Sequence, residues 1–184
     1  GYQIYHHAFA MSERGQWAVV QQGINTGDRT ARRYHWIGEG LRSFVEEPHS
    51  GIAGEARRDV VLDMTSSKSR GAREVSVEIA REDPGKVLRL VNEVQLKQGC
   101  LDMWVHPEAE RPLGVGEFSY LKMPRRVNWK VLKRLYEMKP QCYEEIIEIG
   151  GVGSGVVRAL ALISTLVYGE APSWQDPVRF SFAV

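Results

Sequence analysis

The sequence predicts an α+β fold in which an antiparallel, β-rich N-terminal part is followed by helices. Residues 2–9 and 17–24 are rich in aromatic and β-branched residues, and the turn-forming stretch 12–15 separates them, which indicates a β-hairpin. From about Ser66 onward the apolar residues recur at helical spacing instead. Hydrophobic residues at 43% and charged residues at 26% are ordinary globular values and exclude wholesale disorder.

Further strands are predicted after the polar loop 25–33 that follows the hairpin, and near the end of the sequence. We expect a third strand at residues 34–37 and another at 60–62. Residues 41–47 are predicted to form a short helix that ends before Pro48. The run 179–184 is strand-like.

The helical part divides at its prolines. Apolar spacing predicts two helices separated at Pro84-Gly85, and then a connecting loop over 100–123. Three helices are expected after this loop, at residues 128–138, 143–149 and 155–168. We therefore divide the chain into a β-rich region (1–65), a helical middle with its loop (66–123) and a C-terminal helical region (124–184).

Charge and composition exclude several classes of protein. The formal net charge of +1 excludes a histone-like protein. The longest apolar run, 156–168, is too short for a hydrocarbon core of roughly 30 Å, so we expect no membrane partner. Cys100 and Cys142 suggest no disulfide framework, which predicts a cytoplasmic protein. Because the chain starts Gly1-Tyr2 and ends in a strand-like run, we expect it to be part of a longer protein.

The strongest motif lies between the last two predicted helices. Four glycines fall within residues 150–155, between two apolar helices. This arrangement resembles the helix–hairpin–helix DNA-binding motif, in which glycines bring the backbone close to a phosphate and the following helix offers free N–H groups. The predicted phosphate site consists of Gly151, Val152, Gly153, Ser154, Gly155 and Arg158. The alternative is a structural corner in which the glycines only permit tight packing.

A local concentration of positive charge precedes this motif. Residues 122–139 contain seven basic side chains and one acidic side chain. On the predicted helix, Lys130, Lys133 and Arg134 lie opposite the apolar side. Such a cluster is expected where a protein contacts phosphates, so we add these three residues to the predicted nucleic-acid site. A merely solvated helix face is the alternative.

Asp176 lies beyond the second helix of the predicted hairpin. Its placement is similar to that of the catalytic aspartate in helix–hairpin–helix base-excision glycosylases, and this resemblance implies a catalytic role. The lysine of bifunctional members has no counterpart close to Ser154-Gly155, so the resemblance does not extend to lyase chemistry. An aspartate before Pro177 also fits a turn or a helix cap.

A wider resemblance covers nearly the whole chain. The segments that carry it are Tyr5-His6-His7, residues 17–23, residues 31–36, residues 44–49 and residues 172–178. They resemble the family named domain of unknown function 763, found in archaea and thermophilic bacteria. The resemblance implies the C-terminal half of a longer protein, with a further N-terminal region and tail. It implies no established activity.

The β-rich half contains weaker signals for chemistry. His7 and His35 are candidate catalytic residues, and His6 or His7 with His35 and a carboxylate such as Asp28 or Asp63 would form a metal site. The alternative is cross-strand packing of the histidines with aromatic side chains. Residues 29–36 interleave arginines with aromatic residues and would suit a nucleic-acid backbone with a stacked base.

Together these patterns predict a DNA-binding protein of DNA processing or repair that holds the backbone without base selectivity. A nuclease, with a divalent metal as cofactor, is the first enzymatic hypothesis and a glycosylase the second. The competing hypothesis is a non-catalytic protein-interaction module with a structural hairpin, in which residues 29–36 bind a protein partner.

Overall fold

The computed structural model describes residues 2–104, 121–124 and 126–181, with only the backbone for 97–104 and 180–181. Its contacts divide the chain into two compact units. We call residues 2–68 with 173–181 the sheet unit, and residues 69–172 the helical unit. The sequence-based division at residues 65 and 123 stays a prediction.

The sheet unit contains one sheet with the strand order β1-β2-β3-β4-β5. Its first four strands are antiparallel neighbours, and β5 runs parallel to β4. The α+β class predicted from the sequence is therefore confirmed. The strands are β1 (Gln3–Met11), β2 (Trp17–Asn25), β3 (Thr30–Ile37), β4 (Gly51–Gly54) and β5 (Phe180–Ser181).

The predicted hairpin is present, but two predicted elements of the sheet unit are wrong. Residues 41–47 form no helix, and 44–47 are bends. The Ser43 hydroxyl accepts the N–H groups of Val45 and Glu46 at 3.1 and 3.0 Å, which competes with helical hydrogen bonding. Residues 60–62 form no strand; the adjacent Asp63 makes an isolated bridge with Ser173. The Gly51–Gly54 strand was not predicted from the sequence.

The described residues of the helical unit form five α-helices. A 3-10 turn at Ser67–Ser69 precedes them, and the break predicted at Pro84-Gly85 is confirmed, because the first helix ends at Arg81 and the second begins at Pro84. Most of the predicted loop at 100–123 lies outside the described residues; its first residues, to Trp104, are helical. The helices are α1 (Arg70–Arg81), α2 (Pro84–Trp104), α3 (Trp129–Met138), α4 (Tyr143–Glu148) and α5 (Ser154–Tyr168).

The core of the helical unit forms around α5. The apolar side of this helix is fully buried, and α1 and α2 both contact it. Helical spacing of large apolar residues accounts for this packing, since one stripe of each helix faces the same interior. The large aliphatic side chains that are fully buried here include Ile79, Leu135, Ile146, Leu160, Leu162 and Ile163.

Candidate nucleic-acid interface

A tight turn joins α4 to α5 at the predicted motif. Helix α4 ends at Glu148, α5 begins at Ser154, and the Val152 N–H donates to the Ile149 carbonyl at 3.0 Å. Gly151 has a φ of +97°, a conformation that favours glycine. Two helices and a short glycine-containing turn are thus adjacent here, and Val152 between them is half-buried.

The glycines of this turn have different surroundings. A Cβ atom added to Gly151 would lie 2.9 Å from Val131 Cγ2, so this position is closed by α3. At Gly153 and Gly155 an added Cβ would meet no described atom within 4 Å. Among the described residues, the Cβ side of these two glycines is therefore open, which leaves room for a phosphate to approach the backbone.

The first turn of α5 follows directly from this open backbone. Val156 and Val157 donate their N–H groups to the Gly153 carbonyl at 3.0 and 3.1 Å. No side chain among the described residues caps the helix at Gly153. The N–H groups of Ser154 and Gly155 come before the helical hydrogen bonds, where a helix presents its positive dipole end.

A hydrogen bond fastens α3 to the turn. Arg134 Nη1 donates to the Gly150 carbonyl at 2.8 Å. Lys130 is exposed one turn before Arg134 and therefore lies on the same side of α3. Lys133 directly precedes Arg134 and is exposed next to this side, about 100° around the helix. Lys133 makes only a long, exposed ion pair with Glu137, at 3.8 Å. The predicted basic cluster and the predicted turn are therefore neighbours.

Arg158 and the acidic side chains around the turn set its local charge. Arg158 Nε donates to the Lys122 carbonyl at 3.2 Å, which brings the segment at Lys122 to the start of α5. Glu148 is exposed immediately before the turn. An anion at the turn would therefore meet several cations and one nearby carboxylate.

The other predicted site residues lie in the sheet unit. The strand register aligns His7 with Gln21 and Tyr34, whereas His35 aligns with Val20. His7 and His35 therefore project from opposite faces of the sheet. His7 Nδ1 lies 3.2 Å from the Gln21 amide nitrogen. The structure does not bring these two histidines into one site.

Asp176 lies in a buried polar network instead of an open cleft. Its side chain is fully buried and forms an ion pair with Arg32. The carboxylate also accepts the backbone N–H groups of Arg58 at 2.7 Å and Val178 at 3.1 Å. Arg32 additionally lies over the Tyr2 ring, 4.4 Å from its centroid. These contacts favour the turn alternative, in which Asp176 anchors the segment after Ser173.

The cationic and aromatic side chains of residues 29–36 do not form one surface. Arg32, Tyr34 and Trp36 share one face of β3, where Arg32 is buried. Arg33 lies on the other face with His35, and the Gln22 amide oxygen is 2.7 Å from Arg33 Nη2 in the orientation that satisfies both side chains. The alternation of the strand thus divides the cluster.

The sheet unit also contains a small polar pocket that the sequence did not predict. It has an empty volume of about 260 Å³, and Glu47 beside it has a left-handed φ of +46°. Pro48-His49 and Pro177 lie in two of the segments that carry the family resemblance. This shared membership was the sequence signal that could have pointed to the pocket. The lining residues are Glu47, His49, Ile52, Asp63, Thr65, Pro177 and Arg179.

His49 is expected to make the sheet unit less stable in mild acid. Burial beside Trp36 and Tyr34 lowers the pKa of His49 below its usual value, although Asp63 and Glu47 oppose this shift. The unfolded chain then binds a proton that the folded state does not bind. The free energy of unfolding therefore falls as pH drops below about 6.5. We expect the tryptophan-fluorescence unfolding midpoint to fall between about pH 6.5 and pH 5 in the wild type and less in His49→Phe. Equal pH dependence of both proteins would contradict this assignment.

Two further properties of the described residues bear on the predicted metal site and on a membrane partner. Within residues 2–104, 121–124 and 126–181, no three His, Cys, Asp or Glu side chains are grouped so as to hold a metal ion. None of the helices in this part of the chain has the length and apolar character needed to cross a membrane.

Comparison with known proteins gives one match. No curated protein and no solved structure matches this chain. The model of a family described as "protein of unknown function (DUF763)" matches residues 1–184, which is the whole chain. The resemblance carried by the sequence segments is thus confirmed at the level of the family, and the chain belongs to the family of proteins of unknown function DUF763.

Proposed function

We propose that this protein binds nucleic acid, with DNA as the expected partner, through the α4–α5 turn and the adjacent basic side of α3. The observation that carries the proposal is the 2.8 Å hydrogen bond from Arg134 to the Gly150 carbonyl. It joins a cationic helix surface to a stretch of backbone that is open at Gly153 and Gly155. We call residues 150–155 with Lys130, Lys133, Arg134 and Arg158 the phosphate-binding surface.

The chemistry of this surface supports contact with phosphates. Uncapped N–H groups at the start of α5 suit a phosphate oxygen, and the neighbouring lysines supply positive charge. None of these groups is an aromatic platform for bases or an amide fork for base edges. We therefore expect binding to the backbone with little dependence on base sequence.

The test is a salt titration of binding to labelled double-stranded DNA. The logarithm of the association constant should fall linearly with log salt between about 50 and about 200 mM, with a slope near −0.9 per neutralised phosphate. The double variant Lys130→Gln/Lys133→Gln should flatten this slope by about two, or about one for each lost contact. Gly153→Val should weaken binding at least about ten-fold, because its side chain occupies the open space without strain.

Matched variants distinguish binding at the phosphate-binding surface from a nonspecific effect of positive charge. Lys86→Gln/Arg89→Gln removes the same charge from exposed positions on α2 and should leave the slope unchanged. Glu148→Gln removes the carboxylate next to the turn and should strengthen binding. Salt-insensitive binding, or equal losses in the two double variants, would refute the proposal.

The enzymatic hypotheses gain no support from a specific arrangement of the described residues, so we propose binding without a reaction. Cys142 is free and exposed, which supports a reducing compartment such as the cytoplasm. The titration with unmodified DNA also provides the starting point for cleavage assays with added divalent metals. Loss of full-length substrate in those assays would return the nuclease hypothesis to consideration.

A further inference from the structure

We propose that two copies of this chain associate through the outer edge of β1, as antiparallel strands related by a two-fold axis at Phe9. The proposal is independent of the phosphate-binding surface, which lies in the helical unit. It rests on the unprotected character of β1, on the direction of its backbone groups and on the position of a β-bulge.

Beyond the β-bulge near its N-terminal end, the edge of β1 lacks the features that usually prevent strand pairing. This strand is the first in the sheet order, and no described residue pairs with its outer side. All nine of its residues are exposed. Residues 3–11 include no lysine, proline or formally charged side chain, although edge strands in monomers usually carry such residues. A long, uncharged edge of this kind is suited to pair with another strand.

Hydrogen bonds of the neighbouring strand show which backbone groups point outward. The Trp17 carbonyl accepts the Gly38 N–H at 2.9 Å, so the odd-numbered residues of β2 bond toward β3. The even-numbered residues of β2 therefore bond toward β1, where Ala18 and Val20 pair with Ala10 and Ala8. The Ser12 N–H to Gln16 carbonyl bond, at 2.8 Å, agrees with this alternation.

It follows that His7, Phe9 and Met11 direct their N–H and C=O groups away from the sheet. The register shift between Ile4 and His6 interrupts the row on its N-terminal side. The regular outward row thus contains three residues, and Phe9 is its centre. An antiparallel pairing of two copies uses all three only when Phe9 lies opposite Phe9 of the second copy and Met11 lies opposite His7 of the second copy.

The side chains of this row fit a second copy of the same strand. Phe9 and Met11 project from one face and are 59% and 66% exposed. Pairing two uncharged strands brings no like charges together, which is the usual obstacle to association of identical edges. Residues 7–11, five from each copy, bury far less than the about 1,600 Å² of a standard interface. We therefore expect a reversible dimer that depends on concentration.

The register is tested by cysteine cross-linking. The full chain is prepared with Cys100→Ser and Cys142→Ser, and a single cysteine is then introduced. Residues opposite each other in a hydrogen-bonded antiparallel pair have Cα atoms about 5.5 Å apart, which is within disulfide range. Phe9→Cys should therefore form a covalent dimer under mild oxidation. Met11→Cys should not, because its counterpart lies four residues away along the paired strands.

The association itself is tested by measuring mass as a function of protein concentration, with folding monitored by circular dichroism. The wild type should shift from monomer to dimer, and Phe9→Lys should remain monomeric. Ile37→Lys is the matched control, since Ile37 is an exposed apolar residue at the end of β3, and it should dimerise as the wild type does. A wild type that is monomeric throughout, a Phe9→Lys dimer, or equal cross-linking of both cysteine variants would overturn the proposal.

Discussion

The Asp176→Asn variant is expected to lower the free energy of unfolding of the sheet unit by about 3–5 kcal/mol. The substitution leaves the Arg32 guanidinium buried without its carboxylate, because Arg32 is only 3% exposed. The new amide group also faces the N–H groups of Arg58 and Val178, which donated to the carboxylate. Chemical denaturation followed by tryptophan fluorescence measures the change.

Two further variants identify the source of this loss. Arg179→Gln removes an exposed arginine that pairs with Glu47 at 3.3 Å, and it should cost no more than about 1 kcal/mol. The double variant Arg32→Met/Asp176→Leu removes both buried charges and should recover part of the stability lost in Asp176→Asn. An Asp176→Asn protein of wild-type stability would contradict the anchoring role and restore interest in a catalytic one.

Gly151→Val is expected to lower the free energy of unfolding of the helical unit by about 2–4 kcal/mol. A branched side chain is strained at a φ of +97°, at a cost of order 1–3 kcal/mol. Its Cβ would also lie 2.9 Å from Val131 Cγ2, so α3 or the turn must shift. Far-ultraviolet circular dichroism during thermal or urea unfolding measures this effect.

Gly153→Val is the matched comparison for this prediction. It has the same change of side chain two residues away, but its φ of −117° is ordinary extended backbone and its Cβ would be open. We expect a loss of no more than about 1 kcal/mol, because Gly153 is the N-cap of α5 and valine is a poorer N-cap residue than glycine. Equal destabilisation by the two variants would show that the turn tolerates valine at neither position. The positive φ of Gly151 would then not be the cause of the loss.

Elements with strong local patterns were predictable from the sequence. The three helices after residue 124 have apolar residues at helical spacing and begin or end at prolines and glycines, so local preference and burial agree. The hairpin of β1 and β2 was predictable for the same reason. The Gly51–Gly54 strand was not, because half of its residues are glycine and its pairing with β3 and β5 supplies the order.

The candidate site was only partly predictable. Adjacent residues in the sequence revealed the turn and the basic run, but the contact between Arg134 and Gly150 depends on how α3 packs. Arg32 and Asp176 are 144 residues apart, and no local pattern signals their ion pair. The opposite faces of His7 and His35 follow from the strand register, which the sequence alone did not determine.

The parallel pairing of β5 with β4 has a consequence for the order in which the two units fold during synthesis. The sheet unit needs residues from both sides of the helical unit, because β5 and Asp176 follow α5 in the chain. During translation the helical unit is complete while Arg32 still lacks its carboxylate partner. Domains generally fold as units as they emerge from the ribosome. The helical unit is therefore free to fold first, and the sheet reaches its final hydrogen bonding only after residues 176–181 have emerged.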